Sequence, residues 1–169
     1  MRAFLFPGQG SQKVGMGVDL AEASAAARQT FEEVDDALNQ KLSAMMRDGT
    51  DAELTLTSNA QPAIMANAIA TLRVLEKDFG VKLKDAGSCV AGHSLGEYTA
   101  LCAVNAFSLG ETAKLLRLRG IAMQDAVPIG VGGMAALLGS DIETAQKLAE
   151  EAANGQVCEI ANDNDPSQV

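Results

Sequence analysis

The chain has 169 residues, a formal net charge of -9 at pH 7 and an apolar share of 47%, a composition that supports a globular core. The acidic balance excludes a nucleic-acid partner, which requires a basic face. No stretch is long and apolar enough for a membrane span. With no Trp and a single Tyr, the core must be built from Ala, Leu, Val, Ile and Met.

In chain order, residues 2–6, RAFLF, predict a short buried strand closed by PGQG. This apolar run is too short for a signal peptide. A helix is expected over 21–38, with Glu32, Glu33, Asp35 and Asp36 on its polar face, and another over 41–47, stopped by Gly49. The clearest helix begins at SNAQPAI. Ser58 or Asn59 is its expected cap, Pro62 lies in its first turn, and Ile64, Ala68, Leu72 and Leu75 line one face up to Gly80. GSCVAG predicts a strand buried inside a parallel sheet.

A mostly buried helix follows over 97–104, and Ser108 with Glu111 forms a capping box for one running to about Ala126. VPIGVGG then breaks the pattern, placing a boundary between residues 1–127 and 128–169. Beyond it, strand 133–139, a helix capped by Ser140 with Glu143, and strand 156–162 form a β-α-β half-unit whose strand edges lack partners, as if cut. Strands alternating with helices give the α/β class. Cys89, Cys102 and Cys158 have no paired or metal-like spacing and sit in apolar stretches, so buried free thiols in the cytoplasm are expected. Basic residues cluster at Arg73, Lys77, Lys82 and Lys84 and at Lys114, Arg117 and Arg119, as solvated helix faces or as a docking patch.

Gly92-His93-Ser94-Leu95-Gly96 matches the G-x-S-x-G elbow, in which a strand turns sharply into a helix and exposes the central serine. A strand before it and an apolar helix after it favour a nucleophile over a turn serine. The helix N-terminus offers N–H groups and a favourable dipole to an oxyanion. A serine nucleophile needs a base, yet the single histidine, His93, is adjacent to Ser94 and is expected to pack beneath the elbow. The PGQGSQ loop is either a plain turn or a second oxyanion donor. Arg119 is either a solvated charge near a helix end or a guanidinium that grips a carboxylate through two parallel bonds.

FPGQGSQ at 6–12, AQPAI at 60–64, GHSLGEYTAL at 92–101 and RGIAMQDAVP at 119–128 occur in that order. Together they resemble the malonyl-CoA:acyl-carrier-protein transacylases of fatty-acid synthesis and the related acyltransferase domains of polyketide synthases, over the whole chain. The resemblance implies an α/β-hydrolase-like parallel-sheet core with an inserted ferredoxin-like small subdomain, here truncated. It implies ping-pong transfer of malonyl from malonyl-CoA to the phosphopantetheine thiol of acyl carrier protein, with no bound cofactor or metal, by a monomer. Ser94 would be the nucleophile, Gln9 and Leu95 the backbone oxyanion donors, and Arg119 the carboxylate ligand. Gln61 would line the same pocket and Asn162 would lie close by. The family's catalytic histidine would come from beyond Val169, leaving the 169-residue chain impaired alone. A serine esterase or thioesterase of the same fold, and a non-catalytic carrier-binding fragment, are the alternatives.

Overall fold

Strand β1 (Ala3–Phe6) lies parallel to β2 (Cys89–Gly92), in register from Ala3 opposite Cys89 to Phe6 opposite Gly92. A parallel pair requires a long crossover, and here it is helical: α1 (Val18–Ala23), α2 (Ala25–Leu38), α3 (Leu42–Asp48), α4 (Asp51–Thr55), α5 (Thr57–Phe79) and α6 (Leu83–Ala86). After β2 come α7 (Leu95–Ala103) and α8 (Leu109–Ala126), and later α9 (Ile142–Ala152). This computed structural model describes residues 2–128 and 130–169. The chain divides into two units, Met1–Pro128 and Ile129–Val169. No helix among the described residues is long and apolar enough to cross a membrane.

In the first unit α5 is the central element, packed against α2, α7 and α8. Val34, Leu42, Met65, Leu95 and Leu116 are at most 1% exposed, and burial of each such side chain stabilises by roughly 1.5–3 kcal/mol. The expected stripe of Ile64, Ala68, Leu72 and Leu75 is only part of what α5 buries. Every residue from 59 to 66 is buried, as α5 packs against several helices. Small side chains make that possible: Ala60, Ala63 and Ala70 are fully covered.

Several local expectations shift for identifiable reasons. The single helix expected over 21–38 is two helices. Ser24 takes extended backbone, its Oγ accepts from the Ala26 N–H, and its hydroxyl donates to Asp78 at 2.5 Å, so a cap and a long-range bond replace helix continuity. The short α4 was not expected; Thr50 and Glu53 form its capping box. Helix α5 starts before its expected cap, which puts Pro62 in the second turn. Asn59 is instead held by tertiary bonds: its amide donates to the Glu53 carbonyl at 2.8 Å and accepts from Arg117 at 2.6 Å. The Ser108–Glu111 capping box forms as expected, and the Ser108 hydrogen bonds lower the Glu111 carboxyl below its ordinary value.

Strand β2 is not buried on both faces. It has one neighbour, and Cys89 and Ala91 are exposed. Of the cysteines, Cys102 alone is buried, while Cys89 and Cys158 are exposed. Burial pushes the Cys102 thiol up, partly offset by a hydrogen bond with Thr112.

In the second unit the two expected strands do not form. A strand exists only through its pairing, and the pairing found is a short antiparallel contact between 137–139 and the tail. Leu137 donates to the Val169 carbonyl at 2.8 Å, and Gly139 to that of Ser167 at 2.7 Å. Residues 156–162 are irregular, and Val157 is 88% exposed. Helix α9 is capped by Asp141 rather than Ser140, since the Asp141 carboxylate reaches the Thr144 N–H at 2.9 Å.

The crossing of α8 over the start of α5 is unusually close at Gly120. A methyl group there would stand 2.6 Å from Ser58 Cα and 2.7 Å from the Thr57 carbonyl oxygen. Gly110, on the same helix, has room for one at 3.4 Å from Ala37 Cβ. In urea unfolding, Gly120→Ala is expected to destabilise by about 1–3 kcal/mol through overpacking, while Gly110→Ala should match or exceed the parent. Equal stability of the two variants would count against the close crossing.

Candidate active site

Where β2 meets α7, Ser94 is the helix cap and has φ 55°, ψ -115°. A serine in such backbone is strained, and the surroundings force it. A methyl group at Gly92 would stand 1.9 Å from the carbonyl of Gly96, and one at Gly96 would stand 2.3 Å from the Phe6 carbonyl oxygen. Strand, turn and helix thus touch backbone to backbone. His93 donates its N–H to the Phe6 carbonyl at 3.1 Å, and its own carbonyl accepts from Gly96 at 2.8 Å. Ser94 is exposed, and Leu95, the first helical residue, is fully buried. The N–H groups of a first helical turn have no acceptor within the helix.

The PGQG loop lies against this turn: a methyl group at Gly8 would come within 2.6 Å of His93 Nδ1. His93 is exposed beside that loop, not packed beneath the elbow as expected: its ring lies against Gly8. The Gln9 side chain donates to Thr57 Oγ1 at 3.2 Å, tying the loop to the first residue of α5.

Arg119 comes from α8, immediately before the close crossing at Gly120. Its Nη2 donates to Ser94 Oγ at 3.1 Å and its Nη1 to Gln61 Oε1 at 2.7 Å. Its Cζ lies 5.9 Å from the centroid of the Tyr98 ring, a favourable cation–π position. Gln61 is fully buried and donates through Nε2 to Met123 Sδ at 3.3 Å. Among the described residues no carboxylate lies in ion-pair range of Arg119, unlike Arg73 with Glu33 and Arg47 with Asp48. A guanidinium has five N–H donors, so an uncompensated cation beside an exposed hydroxyl suits an anionic group carried by a reacting molecule.

Ser94, Leu95, Gln61 and Arg119 therefore meet in one place, with the Gln9 loop beside them. Asn162 belongs to the second unit, where it is exposed in irregular backbone. Tyr98 and Met123 were missed as functional candidates. Each stands four residues after a site residue on its own helix, and that spacing, one helical turn beyond Ser94 and Arg119, was the available signal.

Members of the basic clusters differ in position and partners. Lys77 lies sixteen residues past Gln61 in the continuous α5, about 24 Å along the axis at 1.5 Å per residue. Arg73 pairs with Glu33 at 2.7 Å. Half-buried Arg117 is held by the amides of Asn59 and Gln40, and burial lowers its pKa. Two grooves of the first unit, about 350 Å³ beside Phe31 and Met46 and about 310 Å³ beside Phe4 and Ile64, contain neither Ser94 nor Arg119. Chemistry rather than volume marks the site.

Residues 3–169 match the family model described as the acyl transferase domain. The chain is 44% identical to the malonyl CoA-acyl carrier protein transacylase of Bacillus subtilis, over 99% of this chain and 51% of that protein. It is 54% identical to an acyl-carrier-protein-S-malonyltransferase from Bartonella henselae of known crystal structure, with a TM-score of 0.91 over 99% of this chain and 54% of that one. A further solved structure is a malonyl-transacylase in complex with its type II PKS acyl-carrier protein, 42% identical with a TM-score of 0.88, covering 98% of this chain and 52% of that chain. The chain thus spans about half the length of the curated relatives it matches, and these likenesses establish an α/β acyltransferase fold.

The strained backbone at position 94 makes a stability prediction. Glycine adopts positive φ without the Cβ penalty, so Ser94→Gly should be more stable than Ser94→Ala by about 1 kcal/mol. Paired thermal unfolding of the two variants measures it. A less stable glycine variant would mean that the turn is not strained.

Proposed function

The chain belongs to the acyl transferase domain family, and from that membership we propose that the protein moves a malonyl group from malonyl-CoA to the phosphopantetheine thiol of acyl carrier protein, in fatty-acid or related synthesis. The observation that carries this reading is the Arg119 guanidinium, 3.1 Å from Ser94 Oγ and without a carboxylate partner among the described residues. Malonyl differs from acetyl by one carboxylate. A site built to bind that group rejects the analogue lacking it, because the cation is then left unpaired.

In the proposed reaction Ser94 Oγ attacks the thioester carbonyl and gives up its proton to a base. The tetrahedral oxyanion is met by the backbone N–H groups of Leu95 and Gln9. Collapse expels the thiol of coenzyme A, reprotonated by the same base, and leaves a malonyl-serine ester. The carrier thiol then attacks that ester, the bond to Ser94 Oγ breaks, and the serine recovers its proton. The positive end of α7 favours both anionic intermediates. The base is assigned outside residues 1–169: the ring of His93 faces the Gly8 loop, and it is the chain's one histidine. Asn162 is assigned near the acyl group on family resemblance.

The finer architecture belongs to the same proposal. A hydrolase-like core over 1–127, supported by the parallel β1–β2 pair and the elbow leading into α7, is interrupted by a small ferredoxin-like subdomain beginning at 128. The malonyl-transacylase solved with its acyl-carrier protein supports the carrier as partner.

Intact mass after incubation with malonyl-CoA tests the reading. A malonyl-sized addition is expected, absent from Ser94→Ala and accelerated by added imidazole, which substitutes for the absent base. The acylated protein should pass its malonyl group to the carrier. Release of free malonate at the same rate with and without carrier would replace the transferase reading with that of a thioesterase.

A further inference from the structure

Resting on the carboxylate-binding role of Arg119, we infer that Gln61 is a positioning residue that determines specificity, not a substrate contact: it fixes the guanidinium with a neutral acceptor so that the cation's full charge remains available to an incoming carboxylate. Gln61 is 0% exposed and both ends of its amide are engaged. Oε1 accepts from Arg119 at 2.7 Å and Nε2 donates to Met123 Sδ at 3.3 Å.

Met123 follows Arg119 by four residues on α8, so one amide spans two side chains on the same helix face. The thioether sulfur accepts and cannot donate. That fixes the direction of the amide, because the reverse orientation would set NH₂ against the guanidinium and oxygen against sulfur. Arg119 is therefore aimed before any ligand arrives, by Gln61 on one side and the Tyr98 ring at 5.9 Å on another. Neither partner carries a formal charge.

A glutamate at position 61 would reach the same nitrogen at the same distance and bring a negative charge with it. Beside a guanidinium it would be ionised, and the ion pair would compete with the substrate's carboxylate. The amide thus does what an acid of the same shape cannot: it orients the cation without neutralising it.

Affinities for malonyl-CoA and acetyl-CoA, measured by calorimetry in a Ser94→Ala background so that no acyl transfer intervenes, test the inference. The parent should prefer malonyl-CoA, and Arg119→Ala should abolish that preference. Gln61→Glu should cut the preference by roughly tenfold to a hundredfold, the worth of a charge-assisted bond, by weakening malonyl-CoA alone. Gln61→Met keeps the charge and removes the acceptor, so it should weaken malonyl-CoA by a smaller factor and leave acetyl-CoA unchanged. A parent without preference, or an Arg119→Ala variant that retains it, overturns the carboxylate site and this inference with it. If Arg119→Ala behaves as expected and Gln61→Glu keeps the preference, or weakens both ligands equally, the inference alone falls. Should Gln61→Glu fail to fold, equal or absent effects of Gln61→Met on the two ligands overturn it.

Discussion

The site depends on the approach of two helix backbones at Gly120. Where α8 crosses the start of α5, the space normally filled by a side chain is occupied by Thr57 and Ser58. Arg119 precedes that contact and Met123 follows it by three residues, so both are delivered to the buried end of α5, where Gln61 is held. Thr57, at the same contact, takes the Gln9 side chain and so connects the crossing to the loop beside the elbow. One missing methyl group thereby helps set the separation between a cation on α8 and the serine between β2 and α7.

The second constraint is the turn at Ser94. Its positive φ is unfavourable for any residue with a Cβ, and it is held by backbone contacts between β1, β2 and α7 rather than by the serine itself. The cost is local and the support is distributed, as is common at reactive positions. The same geometry that strains the serine exposes its hydroxyl at the positive end of α7 and presents it to Arg119. Strain, exposure and electrostatics have a single origin in the abrupt strand-to-helix turn.

Charge in this chain is arranged by partner rather than by count. Arg73 and Arg47 are paired with acids and Arg117 with amides inside the fold. Arg119 is also held by neutral groups, but its neighbour is an exposed hydroxyl. The net charge of -9 hides this difference: a guanidinium held by neutral groups beside an exposed hydroxyl offers chemistry that the surplus of acids elsewhere does not.

Much of the fold and of the site was legible along the chain because the signals were local. The elbow, the Ser108 capping box, the long apolar helix ended by Gly80 and the loop after the first strand each need only a few adjacent residues to declare themselves, and ordered motifs tied Ser94, Gln9, Leu95, Gln61 and Arg119 to one family. What failed depended on partners far away in sequence. Ser24 breaks its helix because Asp78 lies opposite; Asn59 does not cap because Arg117 and Glu53 claim it; residues 156–162 are not a strand because a strand needs a neighbour. Arg119 shows the division most clearly. Its identity and its place on a helix are properties of the sequence, but a solvated charge and a guanidinium aimed at a nucleophile look alike in one dimension. Only the packing of α8 on α5, with Gln61 between them and no acid in ion-pair range among the described residues, sets its guanidinium against the Ser94 hydroxyl, since a charge acquires its surroundings only in space.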